Sequence, residues 1–153
     1  MAALTSLLVL SLFAFGASAD DDLIGDGKCI TITDGDLVVH ERKPGQLHAY
    51  YLYVINRGQE DDDQRWILES VGRDFYKLKN KHSNRRLAIG AYDFLLTASD
   101  EIRMMDHFKF RPDGAGKFDI ISRGNLHLKI HGEDNSVKQS TDQQHWTVEK
   151  CQD

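Results

Sequence analysis

The sequence predicts an all-β domain built from three similar four-stranded units closed around a common axis. Three observations carry this expectation. Amphipathic-helix periodicity is missing, since no window of a dozen residues carries apolar residues at i, i+3, i+4 and i+7 between capping signals. Short alternating or apolar runs, bounded by turn-forming residues, recur along the whole chain. An aromatic-centred pattern also returns at an interval of about forty residues.

The expected strands are Cys29–Thr33, Leu37–His40, His48–Ile55, Arg65–Glu69, Phe75–Lys79, Arg86–Ile89, Phe94–Thr97, His107–Arg111, Lys117–Ser122, Leu126–His131, Ser136–Gln139 and His145–Lys150. Turn chemistry separates them at Asp34-Gly35, Pro44-Gly45, Asn56-Arg57-Gly58, Val71-Gly72, Asp113-Gly114, Arg123-Gly124-Asn125 and Gly132-Glu133-Asp134-Asn135. The repeat is carried by Gln64-Arg65-Trp66, Asp106-His107-Phe108 and Gln144-His145-Trp146, whose aromatics lie 42 and 38 positions apart. Ten residues after Trp66 stands Tyr76, and ten after Phe108 stands Phe118; Leu78 and Ile120 follow two further on. The units are placed at about 28–70, 73–111 and 116–151.

Period-2 alternation puts Leu126, Leu128 and Ile130 on one face and His127, Lys129 and His131 on the other. Likewise Tyr76 and Leu78 face inward while Lys77 and Lys79 face out. Each unit can bury one face only, and three strands or more with a shared core are needed for stability. Closure around an axis buries all three inner faces and removes most exposed edges.

Residues 1–19 carry no charged side chain and hold an apolar run ending in Ala17-Ser18-Ala19, the small-x-small form of a signal-peptidase site. The run is shorter than the roughly 20 apolar residues of a membrane span. We therefore expect a signal peptide over 1–19, a secreted extracellular product, and one domain over 20–153 with no membrane attachment after cleavage. The net charge of −5 gives no electrostatic reason to bind nucleic acid or anionic lipid. The two cysteines, Cys29 and Cys151, stand near the two ends of the expected domain. In an oxidising compartment they are most simply one disulfide. Such a bond needs Cα atoms within about 7 Å, so the first and last strands should be neighbours.

The repeated Gln64-x-Trp66 and Gln144-x-Trp146, with Asp106-x-Phe108 as a degenerate copy, resemble the ricin-type lectin family, whose repeats end in Gln-x-Trp. The resemblance implies a β-trefoil with pseudo-threefold symmetry: a six-stranded barrel capped at one end by three hairpins, its first and last strands adjacent. It also implies that Gln64, Trp66, Asp106, Phe108, Gln144 and Trp146 are structural, the aromatics in the core and the polar residues satisfying backbone groups. Sugar binding in that family needs an Asp on the second strand of a unit, an aromatic on the next strand and an Asn before the Gln-x-Trp. Here the Asp position falls near Val38, Ala88 and Lys129, and the Asn position on Asp63 and Gln143. The sugar site is therefore degenerate in all three units. Tyr92 and Asp93 remain as a candidate divergent ligand site, beside the plainer expectation of a surface turn with a semi-buried Tyr.

Other constellations read as structural. His127 and His131 sit about 13 Å apart on a strand face, too far to share an ion, and His40, His48, His82, His107 and His145 show no ligand spacing. Surface histidines and no metal or other cofactor are expected. Glu60-Asp61-Asp62-Asp63 reads as a solvated acidic loop, and Lys77, Lys79, Lys81, Arg85 and Arg86 as a solvated basic strip. No nucleophile elbow, phosphate-cradling loop or zinc-protease motif is present, so an enzyme is not expected. The first functional expectation is a monomeric secreted binding module whose partner is a glycan or an extracellular protein. A plant Kunitz-type protease inhibitor, which shares the trefoil, is an alternative; its reactive loop would fall at Ser70–Asp74 with Arg73 as anchor. A cytokine-like or host-directed ligand acting on a protein receptor is the third reading, since fold does not determine function.

Overall fold

The computed structural model describes residues 22–41, 50–99 and 105–153; the expected signal segment, the Pro44-Gly45 turn and His48 lie outside them. The described strands are β1 (Cys29–Asp34), β2 (Leu37–Glu41), β3 (Tyr50–Asn56), β4 (Trp66–Gly72), β5 (Phe75–Asn80), β6 (Arg86–Ile89), β7 (Leu95–Ala98), β8 (Phe108–Pro112), β9 (Phe118–Ser122), β10 (His127–Ile130), β11 (Val137–Ser140) and β12 (His145–Lys150). Single 3-10 turns interrupt them at Asp62–Gln64 and Ala91–Asp93. The largest departure from expectation is β4, which runs on to Gly72. A bulge between Ser70 and Gly72 keeps it paired with β5, down to Gly72 opposite Phe75.

Six strands close into a barrel. β1 pairs β4, β4 pairs β5, β5 pairs β8, β8 pairs β9, β9 pairs β12, and β12 returns to β1, every pairing antiparallel. The other six form the hairpins β2–β3, β6–β7 and β10–β11. These hairpins close on one another through Tyr50 opposite Thr97 and the bridges Phe94 to Lys138 and Tyr53 to Ser136. A closed barrel under a triangle of hairpins is a β-trefoil.

The repeated aromatics explain the closure. Trp66 lies opposite Ile30, Phe108 opposite Tyr76, and Trp146 opposite Phe118. Each thus joins the first strand of its barrel hairpin to the strand before it. All three side chains are fully buried, with Leu68, Leu78 and Ile120 in the same core cluster. Full burial of one large apolar side chain stabilises by about 1.5–3 kcal/mol, so these positions are strong determinants of register.

The first and last described segments are tied to the barrel. Leu23 and Ile24 pack on the core, and the Gly27 N–H donates to Leu68 O at 2.7 Å. Cys29 and Cys151 form a disulfide with Cα atoms 5.4 Å apart, and the Cys151 N–H donates to Cys29 O. The first and last strands are neighbours, as the bond requires.

Candidate functional site

The motif residues sit where the barrel meets its cap. Gln144 Oε1 accepts the Ile130 N–H at 2.8 Å, its Nε2 donates to Asp34, and Trp146 Nε1 donates to Leu128 O at 3.0 Å. Gln64 is buried in the turn before β4. Asp106 instead faces outward and pairs with Lys77 at 3.1 Å. Trp66 Nε1 has no acceptor among the described residues. These side chains build the frame and leave little of themselves to a ligand.

The positions that would hold a sugar are filled by other chemistry. Val38 and Ala88 are buried and apolar. Lys129 projects from β10 directly opposite Lys138 of β11, and its ammonium pairs with Asp142 at 3.2 Å. Like charges placed directly across a strand pair repel; Lys138 is drawn instead over the Phe94 ring, 4.0 Å from its centroid. Gln143 donates to Asp119. Around these lysines lies a polar cleft of about 300 Å³, lined also by His131, Gln139 and Ser140.

Several side chains of the two charged clusters are paired, while Asp61, Asp62 and Lys81 stay exposed as expected from sequence. Lys79 and Arg86 share Glu69, Lys81 reaches Asp62, and Arg85 donates to Thr97 O while its guanidinium lies 4.4 Å from the Tyr50 ring centroid. In the acidic loop, Arg65 binds Glu60 and Asp62. Arg65 and Lys81 hold the Asp62 carboxyl below its ordinary range. In the strip, Glu69 meets Lys79 and Arg86 because strands distant in sequence are packed side by side, whereas the Arg65 pairs of the loop are local.

Among the described histidines, His82 and His145 are exposed as expected, whereas His127 is not. His127 is largely buried, its Nδ1 2.8 Å from Asp119, and the same buried carboxylate accepts from Arg111 at 2.8 Å. His145 bonds Asp113 at 2.7 Å, and His131 bonds Asp134 at 3.2 Å. The Ser136 hydroxyl and N–H, with His131 beside them, hold Asp134 down to about 2. Two backbone N–H groups, from Ala115 and Lys117, together with His145 hold Asp113 below its ordinary value. Among the described residues no group of three or more His, Cys, Asp or Glu is arranged to hold a metal ion. Burial pushes the Glu41 carboxyl upward against the Ser83 hydroxyl, which donates to Oε2 at 2.7 Å.

The segment considered for protease inhibition is a tight hairpin. Gly72, Arg73 and Asp74 have φ of 88°, 54° and 61°, and Phe75 already opens β5. A reactive loop enters a protease cleft extended, as a substrate does. Arg73 is left-handed at a two-residue turn and is not extended as a substrate-like anchor would be.

Tyr92 is the feature that sequence reasoning undervalued. It is 87% exposed, not semi-buried. Tyr92 (φ 55°, ψ 32°) and Asp93 (φ 64°) are both left-handed, and the Phe94 N–H donates to Ala91 O. This is a type I′ geometry, which favours Asn and Gly. An aromatic in the left-handed region costs about 1–2 kcal/mol. The surroundings determine the turn nonetheless. The Gly90 N–H donates to Phe94 O at 2.8 Å, Gln139 Nε2 donates to Asp93 Oδ1 at 2.8 Å, and Phe94 packs edge-on against Tyr51.

No protein-family model matches the chain. It is 55% identical over 148 residues to the erythema protein SVEP of Simulium vittatum, covering 97% of both chains. The chain belongs to the family of that erythema protein. Among solved structures, this erythema-family chain resembles a salivary protein from Culex quinquefasciatus of the cysteine- and tryptophan-rich family, with TM-score 0.66, 16% identity and coverage of 84% and 96% of the two chains. It also resembles the BEL β-trefoil (TM-score 0.65, 20% identity, 84% and 97%) and the designed threefold-symmetric ThreeFoil (0.67, 15%, 78% and 96%). At these identities the likeness establishes the β-trefoil fold and nothing finer.

Proposed function

We propose that this erythema-family chain is a secreted, non-catalytic binding protein directed at a host, and that it reddens skin by engaging an extracellular target there. The observation that carries the reading is the 55% identity over nearly the whole length to a protein named for erythema. The fold is consistent with it: a closed barrel with several of its described charged groups tied to one another, presenting loops to the outside. The chain acts as a monomer and without a cofactor. Its contact surface includes Tyr92 and Asp93.

Intradermal delivery of the recombinant secreted protein, with skin perfusion followed optically, tests the proposal. Local reddening that heat-denatured protein does not produce is the expected result. No reddening at any soluble dose overturns it.

A glycan target is the second reading, favoured by the polar cleft at Lys129, Lys138 and Asp142 in the lectin-like fold. A glycan array probed with the same protein separates the two. Saturable binding to a defined saccharide, lost in Lys129→Glu, supports the glycan. A blank array beside active skin reddening leaves a protein target.

A further inference from the structure

We infer that Tyr92 is the anchor by which the chain docks into an apolar pocket of a folded extracellular protein. The inference rests on the host-directed reading and narrows its target to a protein. Three independent features of the turn support it.

The first is a local conflict. A type I′ turn selects residues that tolerate positive φ, and the sequence places there a large aromatic that does not. A local preference broken without packing gain points to a role outside folding. Tyr92 at 87% exposure makes no such gain.

The second is rigidity. A Cβ on Gly90 would meet Leu96 Cδ2 at 2.5 Å, so the glycine lets the base of the turn lie directly on the cap. Gln139 fixes Asp93, and Phe94 is held between Tyr51 and the Lys138 ammonium. The tip is thus positioned by β11 and β3, one strand from each of the other two hairpins, as well as by its own. A rigid aromatic loses little freedom on binding, which is why such residues serve as interface anchors.

The third is shape. A ring that stacks on a sugar forms the wall of a cleft. Tyr92 is not among the residues that line the cleft around Lys129. At the tip of its turn and 87% exposed, the ring is open to solvent on most of its surface and is enclosed best by a concave partner. A folded protein supplies such a pocket, with an apolar wall for the ring and a hydrogen-bonding group for the hydroxyl.

The test uses the fluorescently labelled full secreted chain on cultured dermal cells, with Tyr92→Asn and Tyr92→Phe as variants. Tyr92→Asn should raise Tm by about 2–4 °C, because Asn relieves the turn. The same variant should weaken saturable cell binding by at least about tenfold and lose skin reddening in proportion. Tyr92→Phe should keep most of the binding. Binding of the wild type should vanish after protease shaving of the cells and survive enzymatic removal of their glycans. Unchanged binding of Tyr92→Asn, or a lowered Tm, overturns the inference. Loss of wild-type binding on glycan removal alone overturns the protein target. If Tyr92→Asn reddens skin like the wild type, the anchor fails and the host-directed reading stands. If the wild type neither binds nor reddens, both fall.

Discussion

Removing the disulfide is the sharpest probe of how the barrel is held shut. Cys29 and Cys151 are 122 positions apart, so the bond closes almost the whole described chain into one loop. The chain-entropy relation for a loop of that length gives about 16 cal/mol/K, or about 4.9 kcal/mol at 25 °C, taken from the unfolded state. That is a third or more of the roughly 5–15 kcal/mol that stabilises an ordinary domain. The fold should survive, because β1 and β12 remain paired from Ile30 opposite Lys150 to Thr33 opposite Thr147. With a urea m-value of about 2 kcal/mol/M, the Cys29→Ala/Cys151→Ala variant should lose about 2.5 M in midpoint. The buried Trp66 and Trp146 give a fluorescence signal for the titration, and wild type unfolded in the presence of reductant should overlay the variant. A midpoint loss below about 0.5 M, at unchanged m, would refute the argument that the bond acts mainly on the unfolded chain.

Other perturbations follow from individual groups. Burial raises the folded pKa of Glu41 above its unfolded value near 4.5, so the native state holds its proton more tightly. Stability from this group is full below pH 4.5 and falls as pH rises through the folded pKa. Glu41→Gln should therefore flatten the urea midpoint between pH 4 and pH 8, and an equal slope in both proteins would count against the assignment. Asp134 behaves oppositely, with a folded pKa of about 2 against an ordinary 3.8. Its contribution is present above pH 3.8 and lost as pH falls toward 2, so Asp134→Asn should be less stable than wild type at pH 5 and equal to it near pH 2, read from thermal melts at both values. Gly90→Ala places a methyl 2.5 Å from Leu96 Cδ2 and should cost about 1–3 kcal/mol; a Tm within 1 °C of wild type would show that Leu96 moves aside freely.

Much of the fold was legible because it depends on period and composition. Trp66, Phe108 and Trp146 recur at a spacing that only repeated units produce, and alternating runs such as Phe75–Lys79 carry their inward face in the order of the residues. The cysteines announced the adjacency of β1 and β12 because a disulfide is a distance constraint written in two residues. The candidate site was legible only in its location. Tyr92 and Asp93 stood out as an aromatic and a carboxylate after a strand, but their left-handed backbone, and the exposure that follows from it, depend on Gln139 and Lys138 from another hairpin.

Charge shows the same division. Sequence establishes how many acidic and basic side chains there are, whereas pairing belongs to the closed barrel. Glu69, Lys79 and Arg86 meet because β4, β5 and β6 lie side by side, and Arg111 and His127 meet at Asp119 because β8, β9 and β10 do. Periodicity is a one-dimensional property and survives in the unfolded chain. The partners of a charge, and the direction in which a turn aims its side chain, exist only once strands distant in sequence have been brought within bonding distance.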